Sequence, residues 1–418
     1  MKRATKAKTL LAALPLLFPP TAAEAQVELT GYALGVSSHA TESALSPAGT
    51  TLLARTRLMG LATSGPFTLD FAYEHVIQRT SEGGGFSVTS PAAGTGGGDW
   101  LGTDWELQGW SRGQWRHRFD RLSVGISEGA VEVEIGRQAI SWATTLFLTP
   151  ADPFAPFDPS DPFREYRGGV DAVRLRVFPG PFTEVEAVVR AAETVFGTTI
   201  TALARAQTSS GGWAFGGWGG VLHDEPAMAI FATGAIGATA VRSEATLRED
   251  NEGEMTVRAT LGLDRFFTPG RKDLSLIAEL QYDGLGADDA SHLLEVASSK
   301  SFMRGELQTL GTWTAVMQAS YQIHALVGLS AMALVNLTDG STLVAGSKPA
   351  SSNRNRIDLF DPASSTPEWT HHYVQHAGQN QDVARVIAVT ADGSHAAVAS
   401  WGDDLNTNHE IHVFEREN

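Results

Sequence analysis

The feature of this sequence that most constrains its fold is a period-two alternation of apolar and polar residues. Over 131–137, valine and isoleucine alternate with glutamate and arginine, and stretches beginning near 173, 185, 274 and 327 repeat the pattern. Successive side chains of a β-strand point to opposite faces, so each stretch predicts a strand with one apolar and one polar face. A soluble sandwich buries the apolar face in a core, whereas a transmembrane barrel turns it to lipid and lines its lumen with the polar face. The alternation predicts an all-β fold and leaves both architectures open.

The lengths of the links between strands favour the barrel. We expect fifteen strands, with approximate bounds 27–36, 51–62, 67–79, 106–126, 130–141, 170–178, 182–191, 199–207, 212–222, 227–233, 238–248, 254–267, 272–282, 301–322 and 326–337. Tight links near 65, 129, 180, 210, 235, 270 and 324 alternate with long links at 37–50, 80–104, 143–169 and 283–300, although three other links are short as well. Tight turns at one rim and long loops at the other are typical of outer-membrane barrels, whose strand count is even. We therefore expect an antiparallel transmembrane β-barrel of about 16 strands, with a last strand near Ser341.

The first 25 residues read as a secretory signal peptide. Basic residues precede an apolar core at 10–18, and Ala23-Glu24-Ala25 supplies a cleavage site before Gln26. An apolar run of this length is too short to cross about 30 Å of hydrocarbon as an uncleaved anchor. The predicted destination is the bacterial cell envelope, and for a barrel the outer membrane.

Composition excludes several classes of function. A formal net charge of −16 argues against a nucleic-acid partner, and the absence of cysteine excludes disulfides and thiolate metal sites. The mean hydropathy of −0.09 is not that of a polytopic helical membrane protein. Three histidines in "HHYVQH" (371–376) lack a carboxylate at ligand spacing, and no nucleophile motif accompanies His75, His117, His223 and Asp224. We therefore predict no cofactor, no metal and no enzymatic activity.

A proline-rich stretch separates two of the expected strands. Prolines stand at 150, 153, 156, 159 and 162, and this three-residue spacing matches polyproline II, which is stiff and makes no ladder hydrogen bonds. Such a loop either narrows the barrel mouth or packs on the surface through its phenylalanines. If it narrows the mouth, the candidates that contact a solute are Asp152, Asp158, Asp161, Arg164 and Arg167, and the two arginines are the better candidates for a passing anion.

The strands on either side of this loop carry opposite charges on their polar faces. Arg174 and Arg176 are expected to face glutamates on both neighbouring strands, Glu132 and Glu134 on one and Glu184 and Glu186 on the other. Three further polar residues, Arg137, Gln138 and Asp171, lie near the ends of neighbouring strands. In a lumen this ladder has two possible roles: it joins the wall by charge-assisted hydrogen bonds, or it supplies a transverse field that orients a polar or anionic solute.

The same region carries a resemblance. The segments "GRQAISW" (136–142), "FLTPADPFAPFDP" (147–159) and "REYRGGVDAVRLR" (164–176) resemble porin-like outer-membrane barrels, including the alginate-export type. The likeness covers mainly residues 131–190 and, more loosely, 26–343. It implies that the Gly-Arg-Gln strand and the strand after residue 169 flank the proline loop. The sequence departs from the pattern at Ala143, where glycine often follows the tryptophan.

The pattern of alternation stops near residue 345. Residues 346–369 read as linker and loop, and 383–415 resemble a β-propeller repeat with a turn at Asp392-Gly393-Ser394. Two explanations remain open, a fusion or shifted reading frame, and a divergent final strand followed by a soluble tail. The predicted division is a signal peptide at 1–25, a barrel at 26–343 and a tail at 344–418.

Together these features predict a passive, porin-like channel of the outer membrane for small polar or anionic solutes. Two alternatives remain, a non-conducting structural or ligand-binding barrel and a soluble periplasmic β-protein. The expected partners are membrane lipid and a small polar solute, with no nucleic acid, and self-association into a homo-oligomer is left open.

Overall fold

The structure, a computed structural model, describes residues 26–40, 49–81, 98–154, 168–194, 196–249, 253–289, 292, 295–296, 298–324, 327–336, 342–346, 354–360, 369–374, 383–389, 395–401 and 410–415. The predicted signal peptide and most of the proline repeat lie outside the described residues.

The described chain is almost entirely β-strand. The strands are β1 (Gln26–Ala40), β2 (Gly49–Ser64), β3 (Phe67–Thr80), β4 (Asp104–Trp110), β5 (Gly113–Glu128), β6 (Val131–Gln138), β7 (Val170–Gly180), β8 (Thr183–Thr194), β9 (Gly197–Ser210), β10 (Trp213–Leu222), β11 (Glu225–Ile236), β12 (Thr239–Glu249), β13 (Met255–Phe267), β14 (Leu274–Asp283), β15 (Trp313–His324), β16 (Val327–Asn336), β17 (Thr342–Gly346), β18 (Arg354–Phe360), β19 (Trp369–Val374), β20 (Val383–Val389), β21 (His395–Trp401) and β22 (Glu410–Glu415). A single helical turn, α1, spans Lys300–Met303, and a 3-10 turn spans Pro269–Arg271. No helix in the described ranges is long and apolar enough to cross a membrane.

The strands form one antiparallel meander. From β5 to β19 each strand pairs with the next along the chain, as do β1 with β2 and β2 with β3. β3 then pairs directly with β5 along one edge of β5. The other edge of β5 is shared by β6 and, beyond the end of β6, by the short strand β4. Counted from β1 to β17 without β4, the sheet has sixteen strands, which we call the wall. The sixteenth begins at Thr342, beside the expected Ser341, and β18 and β19 continue the sheet beyond it.

The two faces of this wall are inverted relative to a soluble protein. On β8 the charged Glu186 and Arg190 are 1% and 2% exposed, whereas Val185 and Val189, which directly precede them, are 40% and 53% exposed. The same alternation recurs on β9 and on β11 to β14. A face of exposed valine, leucine and isoleucine is stable in lipid and costly in water. Most wall strands have ten residues or more, enough to span the hydrocarbon of a bilayer.

The sheet curves around two chain segments that enter its polar face. The first inner segment, residues 139–154, makes side-chain contacts with β8, β10, β12 and β14, which a flat sheet does not allow. The second inner segment, residues 298–312, contacts β12 and β13 and also the first segment. The predicted antiparallel transmembrane barrel is therefore confirmed.

The connections sort by side as predicted. One side, called the turn side, carries the tight links 65–66, 129–130, 181–182, 211–212, 237–238 and 268–273, and the opposite loop side carries the long links at 81–103, 139–169 and 284–312. Gly211 and Gly212 both have positive φ, 60° and 81°, the conformation of the hairpin turns that match strand twist. Three loop-side links, near 195, 223 and 251, are short.

Two predicted strands were wrong in extent. The expected strand 106–126 is divided into β4 and β5 by a turn at 111–112, because alternation continues through both arms of the hairpin. The expected strand 301–322 begins only at Trp313. Its first part is α1 and an inward segment whose polar residues, Arg304 and Glu306, form buried ion pairs instead of a ladder.

The tail also differs from the prediction. Residues 354–360, expected as linker and loop, form β18, and residues 369–374 form β19; both strands continue the large sheet. The propeller-like interpretation of 383–415 is not supported, because β20 to β22 make a three-stranded sheet and a propeller blade has four strands. The proposed division at residue 344 stays a prediction.

Candidate functional site

The first inner segment is held inside the barrel by two buried glutamates on the wall. Glu244 of β12 accepts hydrogen bonds from the backbone N–H of Thr144, from that of Thr145 at 2.7 Å and from that of Ala151 at 3.0 Å. Because one side chain holds both ends of this stretch, residues 144–151 form a compact turn against β12. A carboxylate that accepts several backbone N–H groups makes the strong, charge-assisted class of hydrogen bond.

Glu279 of β14 binds the middle of the same turn. Its two oxygens accept from the backbone N–H groups of Leu146, Phe147 and Leu148 at 2.6, 2.9 and 2.8 Å. Glu279 is 3% exposed, so these bonds form away from bulk water. Two wall carboxylates therefore satisfy six backbone donors that an inward loop would otherwise leave unpaired.

Three further side chains hold the segment through four hydrogen bonds. The Trp218 indole of β10 donates to the carbonyl of Ala151 at 2.8 Å, and Arg190 of β8 donates to the carbonyl of Phe154 at 3.4 Å. Gln308 of the second inner segment accepts from the N–H of Thr149 at 2.6 Å and donates to the carbonyl of Phe147 at 2.8 Å. The two inner segments are thereby bound to each other as well as to the wall.

An apolar cluster fills the space between the first inner segment and β7 to β11. Trp142 and Phe154 pack edge to face with ring centroids 4.6 Å apart, and Trp218 lies 6.2 Å from Trp142. These rings join buried aliphatic side chains of the wall, among them Val188 and Leu203. The closely packed rings fill the space between the first inner segment and β7 to β11.

The second inner segment carries a buried charge network at the loop side. Glu306 pairs with Arg248 of β12 at 2.7 Å, and Arg304 pairs with Glu225 of β11 at 3.1 Å. His223, in the tight turn between β10 and β11, lies 3.8 Å from Glu306. Burial lowers the pKa of His223 to about 4, against the attraction of Glu306, so the imidazole is neutral near pH 7.

The structure brings together Arg137 and Asp171, two of the predicted site residues. Arg137 donates to both oxygens of Asp171 at 2.8 Å and to Asp99 at 2.9 Å. Asp171 also accepts from the backbone N–H groups of Trp100 and Leu101, so the link 98–103 closes over the ends of β6 and β7. Burial raises the pKa of the Asp99 carboxyl, although Arg137 opposes the shift. The third predicted residue here, Gln138, donates to the carbonyls of Glu134 and Ala172.

The predicted charge ladder is present on the polar face. Arg176 pairs with Glu132 at 2.5 Å, and Arg174 pairs with Glu186 at 2.6 Å. Of the other two glutamates, Glu134 accepts from Ser123 and Glu184 from Gln207, both at 2.6 Å, and Glu184 also lies 4.0 Å from Arg205. The pairing matches the role of joining neighbouring strands, and a role in solute passage stays a prediction.

The proline loop is described only at its start. Asp152 accepts from the hydroxyl of Ser141 at 3.0 Å and is 7% exposed. The other four predicted residues of this loop lie outside the described residues: Asp158, Asp161, Arg164 and Arg167.

Sequence reasoning missed the residues that hold the inner segments. Glu244 and Glu279 stand on alternating strands among other polar residues, and nothing local separates an anchoring glutamate from one that pairs with a neighbouring strand. A weak signal existed in Trp218, a large aromatic residue on the polar face of a glycine-rich strand. An arginine network on β2, β3 and β5, with Arg57 bonded to Glu74 and Asp120, was also missed.

Some of the charges that keep solvent access lie toward the turn side. Arg176 and Glu132 are 31% and 32% exposed, and Arg242, which pairs with Asp264, is 23% exposed. The basic partners in these pairs are arginines, whose charge does not titrate in the physiological range. The turn-side lumen therefore carries fixed charges of both signs.

No residue group in the described part is assigned a metal. Asp288, Asp289 and His292 have ligand atoms close together, but all three are exposed on the link before α1. Of the "HHYVQH" histidines, His371 and His372 lie on β19 and His376 lies outside the described residues.

Several solved structures are similar to this chain at low sequence identity. OccAB1 from Acinetobacter baumannii has a TM-score of 0.47 at 8% identity, covering 94% of this chain and 97% of that one. A BenF-like porin from Pseudomonas fluorescens Pf-5 has a TM-score of 0.45 at 9% identity, covering 93% and 96%. Pseudomonas aeruginosa OccK2 (OpdF), solved in complex with glucuronate, has a TM-score of 0.43 at 10% identity, covering 84% and 92%.

No protein-family model matches the sequence, and no curated protein does. The resemblance to alginate-export-type barrels is therefore not supported. At these identities and TM-scores nothing about the solutes of the similar proteins is carried over to this chain. The assignment of this chain to the membrane β-barrels rests on its own structure: an antiparallel β-barrel with an apolar outer face, a charged inner face and two inner segments.

Proposed function

We propose that this chain is a porin-like channel of the bacterial outer membrane through which small polar or anionic solutes diffuse passively. The tight links of the turn side would face the periplasm and the long links of the loop side the exterior, the usual orientation of such barrels. A wall of sixteen strands is wide enough to enclose an aqueous path beside side chains and loops.

The observation that carries the proposal is the anchoring of the first inner segment by Glu244 and Glu279. A segment fixed to the wall at six backbone N–H groups narrows the lumen without needing another protein or an energy source. A fixed constriction selects by size, which is the behaviour of a passive channel.

The charges near the constriction favour a polar or anionic solute. On the turn side Arg176 and Arg242 retain solvent exposure, and guanidinium groups bind carboxylate and phosphate in bidentate fashion. The remaining candidates for solute contact are the loop residues Asp158, Asp161, Arg164 and Arg167. Their role rests on the proline spacing alone.

We test the proposal by solute efflux. The full chain is refolded into liposomes loaded with a neutral hexose, with glucuronate or with a large dextran. The proposal expects release of both small solutes, faster for glucuronate, with the dextran retained. Retention of both small solutes by liposomes that contain folded, inserted protein would contradict it.

A second candidate is a non-conducting structural or ligand-binding barrel. The apolar cluster around Trp142 and Phe154 favours it, because its buried side chains fill the space between the first inner segment and β7 to β11. The efflux assay separates the two candidates, since a closed barrel inserts and releases nothing. Enzymatic activity is not part of either proposal, and assembly into a homo-oligomer stays a prediction.

A further inference from the structure

The outer wall carries an apolar groove of about 440 Å³ across β13 to β16. Its lining includes four small outward residues, Ala278, Ala319, Ala331 and Ala333. Larger side chains flank them, and among these Leu263, Phe267 and Met317 are 44%, 37% and 61% exposed. A channel of small residues between large ones is shaped for a narrow, flexible apolar ligand such as an acyl chain.

The turn-side end of this groove is basic, in a chain whose net charge is −16. Arg265 lines the groove, and its guanidinium lies over the Phe267 ring at 4.8 Å. The adjoining turn adds Arg271 and Lys272, both exposed, against a single acid, Asp273. The other turn-side links that the structure describes, 65–66, 129–130, 181–182, 211–212 and 237–238, contain no basic residue.

A neighbouring groove supplies an internal comparison. It has a volume of about 460 Å³, lies across β11 to β15 nearer the loop side, and is also lined by small and large apolar residues, among them Ala245, Ala259, Leu261 and Trp313. Its lining contains no basic residue. The two grooves thus match in size and apolar character and differ in the cations at one end.

We propose that the groove across β13 to β16 binds one acyl chain of an anionic phospholipid, whose phosphate lies against Arg265, Arg271 and Lys272. The inference requires the barrel to lie in a bilayer but does not require it to conduct. Apolar lining alone accepts any lipid chain, so the selectivity for anionic lipid comes from the three cations.

The test is lipid retention measured by native mass spectrometry. The full chain is refolded in neutral detergent with equal amounts of phosphatidylglycerol and phosphatidylcholine of identical chains. We expect one phosphatidylglycerol to be retained in preference to phosphatidylcholine. The variants R265Q and R265Q/R271Q/K272Q should weaken phosphatidylglycerol binding by about fivefold for each cation removed, with phosphatidylcholine unchanged.

A groove-filling pair supplies the control. A278F fills the proposed groove and should reduce retention of both lipids, whereas A245F fills the neighbouring groove and should leave the preference intact. Equal retention of the two lipids by the unaltered chain, or a preference that survives the triple substitution, overturns the proposal. Because channel activity does not enter this readout, a barrel that fails to conduct still gives a decisive result.

Discussion

At the scale of the residue, the account rests on buried glutamates that bind backbone. Replacing Glu279 by glutamine puts an amide NH2 against at least one of the N–H groups of Leu146, Phe147 and Leu148. We expect E279Q to lose about 1–3 kcal/mol of unfolding free energy, measured by urea titration in micelles, and to show larger, noisier conductance as the segment loosens. E184Q is the matched control, because Glu184 accepts from Gln207 and does not contact either inner segment. If the E279Q barrel has the same conductance and stability as the E184Q barrel, the buried glutamates do not anchor the first inner segment.

The exposed ion pair between Arg176 and Glu132 makes a second prediction about single residues. Each partner is about one-third exposed, so removing either costs less than about 1 kcal/mol of stability but changes the charge seen by a passing ion. We expect R176Q to shift the reversal potential toward cation preference, E132Q to shift it toward anion preference, and the double variant to restore the original value. Both shifts should shrink in high salt. Shifts of the same sign in both single variants would place the pair outside the ion path.

At the scale of the element, the turn between β10 and β11 gives a pH dependence. The pKa of His223 falls from 6.5 in the unfolded chain to about 4 in the fold, so the unfolded state binds the proton more readily between these values. Stability should therefore be full near pH 7 and fall by about 2 kcal/mol by pH 5. Facing charges include Glu306, Arg248, Arg304 and Arg190, and Glu225 belongs to the same network. The pKa of the Glu306 carboxyl is held below its usual value by Arg248 despite its burial.

The matched variant is His223→Asn, because His223 has φ 53° and asparagine tolerates this conformation. In urea titrations, we expect the free energy of unfolding of H223N to change little between pH 7 and pH 5. The exposed His292 serves as a contrast, because its hydrogen bond to Asp288 raises its pKa in the fold, and H292N should leave the fall in stability between pH 7 and pH 5 undiminished. A slope that H223N leaves intact would assign the pH dependence to other groups.

Elements were predictable where they obey local rules. Alternation placed fifteen strands, and the spacing of turns placed the long links on one side, because both signals lie within a few residues of each other. The inner segments were not predictable in the same way. Glu279 and Leu148 lie far apart in sequence. The contact between them uses a backbone N–H group, which every residue except proline possesses, so no side chain in the sequence announces it. The ladder at Arg174 and Arg176 was accessible because its partners lie on adjacent strands.

At the scale of the whole molecule, the inverted wall separates a membrane barrel from a soluble protein. Leu261 lies midway along β13 and is 50% exposed on the outer face. Leu261→Arg should cost about 2–4 kcal/mol in lipid vesicles, where the side chain enters hydrocarbon, and little in a protein surrounded by water. Met255→Arg, at the loop-side end of the same strand, should cost about 0–1 kcal/mol. Equal and small effects at both positions, read from unfolding titrations in vesicles, would favour the soluble alternative.

The central claim is that the folded chain provides a water-filled path across a bilayer, narrowed by an anchored inner segment. The most direct measurement is planar-bilayer conductance of the refolded full chain beside E279Q. The account predicts stepwise channels in the unaltered chain and larger, less steady steps in E279Q. Silent bilayers from protein shown to be folded and inserted, with E279Q equally silent, would contradict it and identify the barrel as closed.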